Sequence, residues 1–355
     1  MTSGGHPGSP PRAKERRYSP SPPMKKNLLV TGAAGFIGSH LAQSLLRRGD
    51  RVVGLDNLAP SYAPARKQAN LAAVHADATA PDQWTFVQGD IRDAALLERL
   101  FGENAFDAVV HLAALPGGAT SIEDPSLSAD VHVNGTLQLL SAAKEAFVGN
   151  FVFASAACVY GDAPEVPCVE SAPCDRPLTP YAAEKRSAEM LGYSFHHLYS
   201  LNFTALRFFS VYGPRCRPDS LAFQIAEGIR TGKKVRLHRQ GQVHRDWISV
   251  EELVKGISAA VDRPLGYEIL NLGRGEPVLA ADFVAMLEHL SGGKAHLIPA
   301  IPPDFDSPCV YADIAKARQL LDFAPRGSLE EGMERFWEWY CREEAALSLE
   351  MAGKE

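Results

Sequence analysis

Asn27-Leu-Leu-Val-Thr31 runs directly into Gly32-Ala-Ala-Gly35-Phe-Ile-Gly38, after which Ile37, Leu41, Leu45 and Leu46 recur at helical spacing. A β-rich run, a glycine turn and a helix arrive here in the order of a βα unit whose helix begins at the turn. Gly32 permits a tight turn, Gly35 lets the backbone approach a diphosphate, and Gly38 lets the helix pack on the strand. The amides from Phe36 to Gly38 and the helix dipole then face an anion. A dinucleotide site is expected at this turn.

Working outward, the second apolar run, Arg51-Val-Val-Gly-Leu-Asp56, ends in an acid 18 residues after Gly38. A carboxylate there accepts hydrogen bonds from an adenosine ribose and repels a 2′-phosphate, and no Arg follows to reverse that preference. NAD is expected rather than NADP, with Asn57 beside the ribose. Further strands are predicted at 85–88, 108–112, 151–155 and 203–208, alternating with helical periods. That alternation means parallel βαβ units, an α/β, Rossmann-like doubly wound sheet covered on both faces. Asp90 and Ile91 follow the third strand, and Leu112, Ala113 and Ala114 the fourth, at the strand ends where such sheets bind ligands.

Beyond Phe209 the alternation becomes irregular, punctuated by Pro214, Pro218, Pro264, Pro277, Pro302 and Pro303, until an amphipathic helix from Leu329 to about Glu343. The expected organisation is a cofactor domain over 26–206 with a returning segment at about 243–270. A smaller substrate domain takes 207–242 and 271–345. Residues 1–25 are expected to be a disordered tail, since six prolines in the first 23 positions leave little apolar surface to offset ordering entropy.

The chain has 355 residues, 46% of them hydrophobic, and a formal charge of −6. Residues 1–26 carry +5 and the remainder −11, and an acidic body disfavours nucleic acid as a partner. No apolar run approaches the ~18 residues of a membrane span. The six cysteines show neither CxxC nor metal-ligand spacing, so a reduced, cytoplasmic protein without a metal is expected.

Tyr181-Ala-Ala-Glu-Lys185 follows Pro180 and opens a helix, so phenol and ammonium, at i and i+4, share one face. A nearby ammonium, together with an oxidised nicotinamide, favours phenolate and turns Tyr181 into a base useful near neutrality. Lys185 is expected both to lower the phenol pKa and to hold the cofactor ribose.

With these pieces in place, the region from about Lys26 to Glu343 resembles the extended short-chain dehydrogenase/reductase family of NAD-dependent nucleotide-sugar epimerases and dehydratases. The resemblance rests on TGAAGFIG at 31–38, GD at 89–90, HLAA at 111–114, VNGT at 133–136 and VYGD at 159–162. YAAEK at 181–185, RFFSVYGPRCRPD at 207–219, HRDWISVEE at 244–252 and YADIAKA at 311–317 continue it. VYGPRCRPD in particular is similar to the UDP-glucuronate 4-epimerases. The resemblance implies that Arg245 binds a nucleotide diphosphate, that Arg217 approaches the sugar or its carboxylate, and that Asn134 organises the site. Ser210 and Asp306 complete the implied substrate contacts, and a homodimer is implied as the assembly.

Two places depart from that family: Ala119, where an Arg is frequent, and the end of the strand at 151–155. A Ser or Thr is usual 25 residues before the tyrosine, but Ala156 stands there, with Ser155 one residue earlier expected to face the other side of the strand unless the strand end turns it. Ala157 and Cys158 supply no acid for eliminating water or for decarboxylation, which favours redox without elimination. The expected activity is an NAD-dependent nucleotide-sugar 4-epimerase working through a transient 4-keto sugar, with UDP-glucuronate and UDP-galacturonate as substrates. A UDP-hexose 4-epimerase, another nucleotide-sugar oxidoreductase, or a catalytically impaired nucleotide-sugar binding protein are the alternatives.

Overall fold

The computed structural model describes residues 25–161, 165–305 and 307–352. All of the expected N-terminal tail except Lys25, and also Asp306, lie outside the described residues. The chain runs through β1 (Asn27–Thr31), α1 (Phe36–Arg47), β2 (Arg51–Asp56), α2 (Pro64–Ala76), β3 (Trp84–Gln88), α3 (Ala94–Glu103) and β4 (Ala108–His111). Next come α4 (Gly117–Glu123), α5 (Pro125–Ala129), a π-helical turn (Asp130–Asn134), α6 (Gly135–Glu145), β5 (Asn150–Ala156), α7 (Pro180–Tyr199) and β6 (Phe203–Phe208).

The remainder is more broken, as its prolines predict. It comprises β7 (Ser210–Tyr212), α8 (Leu221–Thr231), β8 (Lys234–His238), β9 (His244–Ser249), α9 (Val250–Asp262) and β10 (Tyr267–Leu272). β11 (Pro277–Leu279), α10 (Ala280–Ser291), β12 (His296–Ala300), β13 (Cys309–Val310), α11 (Ala315–Leu321) and α12 (Leu329–Ala352) follow. The last helix extends past the expected end at Glu343.

Seven strands form one sheet in the order β10-β6-β5-β4-β1-β2-β3, all parallel. β4 and β6 are buried along their whole length, as expected of strands covered on both faces. One face packs Leu41 and Leu45 of α1 and Leu253 and Ile257 of α9. The other packs Leu97 of α3, Leu139 of α6 and Ala188 of α7. From β1 the chain steps out to β2 and β3, then crosses back to β4 on the other side of β1. A sheet whose order reverses in this way opens a crevice at the carboxyl ends of β1 and β4. The glycine turn after β1 and the Leu112–Ala114 segment after β4 both sit in that crevice.

The smaller sheet pairs β9 with β7, β11 and β13. Its core includes Trp247 stacked on Phe283 at 3.9 Å between ring centroids, with Phe223, Phe336 and Tyr340. The expected returning segment, 243–270, therefore divides. His244–Ser249 stays in the small sheet because all its strand partners are there, whereas α9 and β10 return to the large one.

Candidate active site

Gly32 adopts φ +70, and a Cβ there would lie 2.8 Å from the Ala113 amide nitrogen. A Cβ on Gly38 would come within 2.1 Å of the Gly32 carbonyl oxygen, so only glycine lets α1 start directly on the turn. Gly35 caps α1 without any side-chain hydrogen bond, which leaves the first-turn amides for a ligand. Gly32, Gly35, Phe36, Ile37 and Gly38 all line one cavity of about 370 Å³.

Asp56 ends β2 at the rim of this cavity. Its Oδ2 accepts from the Ala34 amide at 3.1 Å and its Oδ1 from the Leu58 amide at 2.8 Å, which fixes the carboxylate toward the turn. Asn57 donates to Asp90 Oδ2 at 3.0 Å. Arg92 donates to both Asp90 oxygens, holding that carboxyl well below the usual range despite partial burial. Asn57, Asp90, Ile91, Leu112, Ala113 and Ala114 line the same cavity. A glycine cradle with no room for a Cβ at Gly32 or Gly38, uncapped helix amides and an acid at the end of β2 together fit a dinucleotide with an unphosphorylated ribose.

The expected catalytic pair is placed by the start of α7. Thr179 accepts from the Ala182 amide at 3.1 Å, and Pro180 occupies the first helical position, which puts Tyr181 in the first turn. Lys185 is buried, donates to the Ala154 carbonyl at 2.9 Å and lies 5.6 Å over the Tyr181 ring. Burial pushes its ammonium down to about 8. The expectation that Lys185 draws the phenol toward neutrality needs correction. Burial pushes Tyr181 above its ordinary range, Cys158 and Glu184 add to that, and the opposing charge comes from Arg217.

The two serine-strand positions diverge. Ser155 Oγ donates to Glu189 Oε1 at 2.6 Å in the interior. Burial opposes ionisation of Glu189, but Arg207, Ser155 and Arg186 outweigh it and hold the carboxylate below its usual range. Ser155 contributes to the cavity wall, yet its hydroxyl is spent on this buried pair, so it does not stand in for the missing catalytic hydroxyl. Ala156 lines the cleft instead.

A second cavity of about 340 Å³ adjoins the first and is lined by Cys158, Thr179, Ser210, Arg245 and Ser307 among others. Gly117, Ala156, Tyr181, Phe208 and Phe209 line both, so the two form one cleft with the phenol at the junction. Arg217 lies in the first cavity, where its Nε and Nη2 each donate to Asp219 at 2.9 Å. Asn134 is exposed, donates to Asp130 at 3.0 Å and lines neither cavity, so the expected organising role is not supported by its position.

Several residues, most of them inside the quoted motifs, play supporting parts that the motifs do not reveal. Thr136 donates to the His132 carbonyl at 2.6 Å, so it must accept from His111 Nε2 at 3.0 Å. His111 Nδ1 then accepts from Thr31 Oγ1 at 2.8 Å, and that oxygen accepts the Leu112 and Ala113 amides, both at 3.2 Å. His132 Nε2 accepts the Leu115 amide at 3.0 Å, which leaves its proton on Nδ1, donated to Glu184 Oε2 at 2.7 Å. Burial keeps this imidazole neutral, its pKa down to about 3. Both histidines thus fasten the wall after β4. Spacing in the sequence gives no hint of these pairings.

The sequence profile of the NAD dependent epimerase/dehydratase family matches residues 28–273. The chain belongs to this family. NAD is accordingly its cofactor, in keeping with Asp56. A UDP-glucuronate 4-epimerase of Thermodesulfobacterium geofontis is 38% identical over 313 residues, 88% of this chain and 95% of the relative. The crystal structure of UDP-glucuronic acid 4-epimerase from Bacillus cereus, in complex with UDP-glucuronic acid and NAD, is 31% identical with a TM-score of 0.82, covering 89% of this chain and 99% of that one. A dTDP-glucose 4,6-dehydratase from Streptomyces venezuelae, also 31% identical, reaches a TM-score of 0.83 over 90% of this chain and 98% of its own. Within this family the backbone alone does not separate epimerase from dehydratase.

Proposed function

We propose that this family member interconverts UDP-glucuronate and UDP-galacturonate by inverting carbon 4. The observation that carries this is Tyr181 at the junction of the two cavities, with Lys185 beside it and the dinucleotide cradle at one end. When bound, NAD supplies a reversible hydride acceptor. Ionised once the positive charge of the oxidised cofactor joins that of Arg217 against its burial, Tyr181 Oη accepts the proton of the sugar 4-hydroxyl as carbon 4 gives up hydride. The planar 4-keto sugar turns its other face, hydride returns there, and Tyr181 gives the proton back. The glycine cradle would hold the cofactor's diphosphate and Lys185 its ribose, and the walls after β4 and β5 would orient the sugar.

Arg245, at the far cavity, is assigned to the nucleotide diphosphate, with Ser210 beside it. Arg217 is assigned to the sugar carboxylate. Its pair with Asp219 leaves the two side chains 40% and 56% exposed, and an ion pair this wet is weak enough for an anionic sugar to displace. For assembly, Ile122, Leu127, Leu137, Met190 and Tyr193 are exposed on the mutually packed helices α4 to α7, which favours a homodimer through this face. No helix among the described residues is long and apolar enough to cross a membrane. The six cysteines are free, which favours the reducing cytoplasm.

One observation favours a second reading, an NAD and nucleotide-sugar binding protein with little turnover: position 156 offers no hydroxyl. NMR of UDP-glucuronate incubated with the NAD-loaded enzyme separates them. UDP-galacturonate forming without accumulation of NADH is the expected result. Binding without turnover supports the second reading, and NADH release or loss of water overturns the epimerase.

A further inference from the structure

The segment between β2 and α2 carries a side chain that no motif singles out. Tyr62 lines the dinucleotide cavity together with Gly35, Phe36, Asp56 and Lys67. Its ring lies under a lysine that is itself paired with Asp56. Lys67 Nζ lies 5.5 Å over it, and the same ammonium is 3.5 Å from Asp56 Oδ1. Four residues along, Arg66 packs its guanidinium over Phe223 of the small domain at 4.8 Å, anchoring the start of α2. Within this fixed setting, Tyr62 Oη is buried and has no hydrogen-bond partner.

A buried hydroxyl without a partner costs free energy, because it has lost water and gained nothing. Burial, with the negative charge of Asp56 adding to it, pushes this phenol up to about 12, so Oη carries a proton to donate. The acceptor it lacks must come from whatever fills the cavity. Two diphosphates could supply one, that of the dinucleotide and that of the nucleotide sugar. The first is favoured, since Asp56 accepts the Ala34 amide of the glycine turn and so ties this rim to the diphosphate cradle, whereas Arg245 stands in the other cavity.

We propose that Tyr62 is a cofactor-binding residue whose hydroxyl donates a hydrogen bond to the diphosphate of the bound dinucleotide. The inference rests on the dinucleotide occupying this cleft. Tyr62→Phe removes the hydroxyl and keeps the ring over Lys67. In the full-length chain, NAD titrated by calorimetry should bind about tenfold more weakly to the variant, as for one lost hydrogen bond to a charged group. UDP affinity should stay within about twofold, because that contact lies elsewhere. The melting temperature without added NAD should be unchanged or higher, since an unpartnered hydroxyl has been deleted, while the extra stabilisation by saturating NAD shrinks. Equal NAD affinity in variant and parent overturns the proposal, as does a loss confined to UDP or a fall in the melting temperature without NAD. A parent protein that binds no NAD would instead refute the cofactor site itself.

Discussion

Restoring a hydroxyl at position 156 tests both the catalytic geometry and the strand register. Ala156 is the last residue of β5 and lines the cleft on both sides of Tyr181, whereas the Ser155 hydroxyl points inward and donates to Glu189. A serine at 156 therefore puts an Oγ where the sugar 4-hydroxyl must sit. One hydrogen bond formed to the reacting oxygen contributes about 1.4 kcal/mol, which corresponds to about tenfold in turnover. The assay is NMR of UDP-glucuronate with NAD-loaded Ala156→Ser and parent proteins, reading kcat and KM separately, and the gain is expected in kcat. Ser155→Ala is the counterpart. It removes one donor from a buried carboxylate that Arg207 and Arg186 still hold, so it should cost about 1–2 kcal/mol of stability and a few degrees of Tm while kcat changes little. A neutral or harmful Ala156→Ser in an active enzyme, or a Ser155→Ala that abolishes turnover in a folded protein, would refute the assignment of the two faces.

Three further outcomes are expected. Tyr181→Phe should lower kcat by at least about a hundredfold, the usual contribution of a general base, with NAD retained on calorimetry. Arg217→Lys should erode any preference for UDP-glucuronate over UDP-glucose in competition binding, because the charge stays while the bidentate fork is lost; a parallel loss for both ligands would refute the carboxylate role. Lys185 titrates at about 8 in the fold against an ordinary 10.5. Between those values the unfolded chain binds the extra proton, so this group's contribution to stability rises with pH across the window, while activity falls above about 8 as the ammonium is lost. The Tm of the parent relative to Lys185→Met should rise from pH 7.5 to about 10, as the penalty of the buried charge fades; a constant difference would contradict the burial of the charge.

What the sequence made legible was local. The glycine turn, Asp56, and the pairing of Tyr181 with Lys185 each lie within a single βα unit or helix face, so spacing alone places them, and strand alternation separates Ser155 from Ala156. The features that stayed hidden depend on segments far apart in the chain. Glu189 meets Ser155 and Arg207 only because α7 packs across β5 and β6. Thr31 meets His111 across 80 residues, and Lys67 reaches Asp56 only after α2 folds back along the sheet. The small-sheet membership of His244–Ser249 was illegible for the same reason, since it is decided by β7, β11 and β13 rather than by the strand's own composition. Tyr181 shows a different failure. An ammonium four residues away suggests a lowered phenol pKa, but Lys185 spends a donor on the Ala154 carbonyl and burial dominates.

The likeness to a dTDP-glucose 4,6-dehydratase is as good as that to a UDP-glucuronic acid 4-epimerase, with TM-scores of 0.83 and 0.82, so the choice between these reactions rests on side chains. Elimination of water needs an acid for the leaving hydroxyl and a base for the adjacent carbon, beyond the tyrosine that serves oxidation at carbon 4. Among the described residues lining the cavity at the far side of Tyr181 there is no Asp or Glu. Ala157 fills one of the candidate positions. Cys158 fills another, and a thiol is a weak donor with no use as an acid on a sugar hydroxyl. Among the described residues, then, the cleft offers Tyr181 for oxidising carbon 4 and reducing it again, and no carboxyl on its far wall to expel water from the ring's neighbour. A protein built this way returns its cofactor to the starting state after every turnover, which is why an external oxidant should never appear in its rate law.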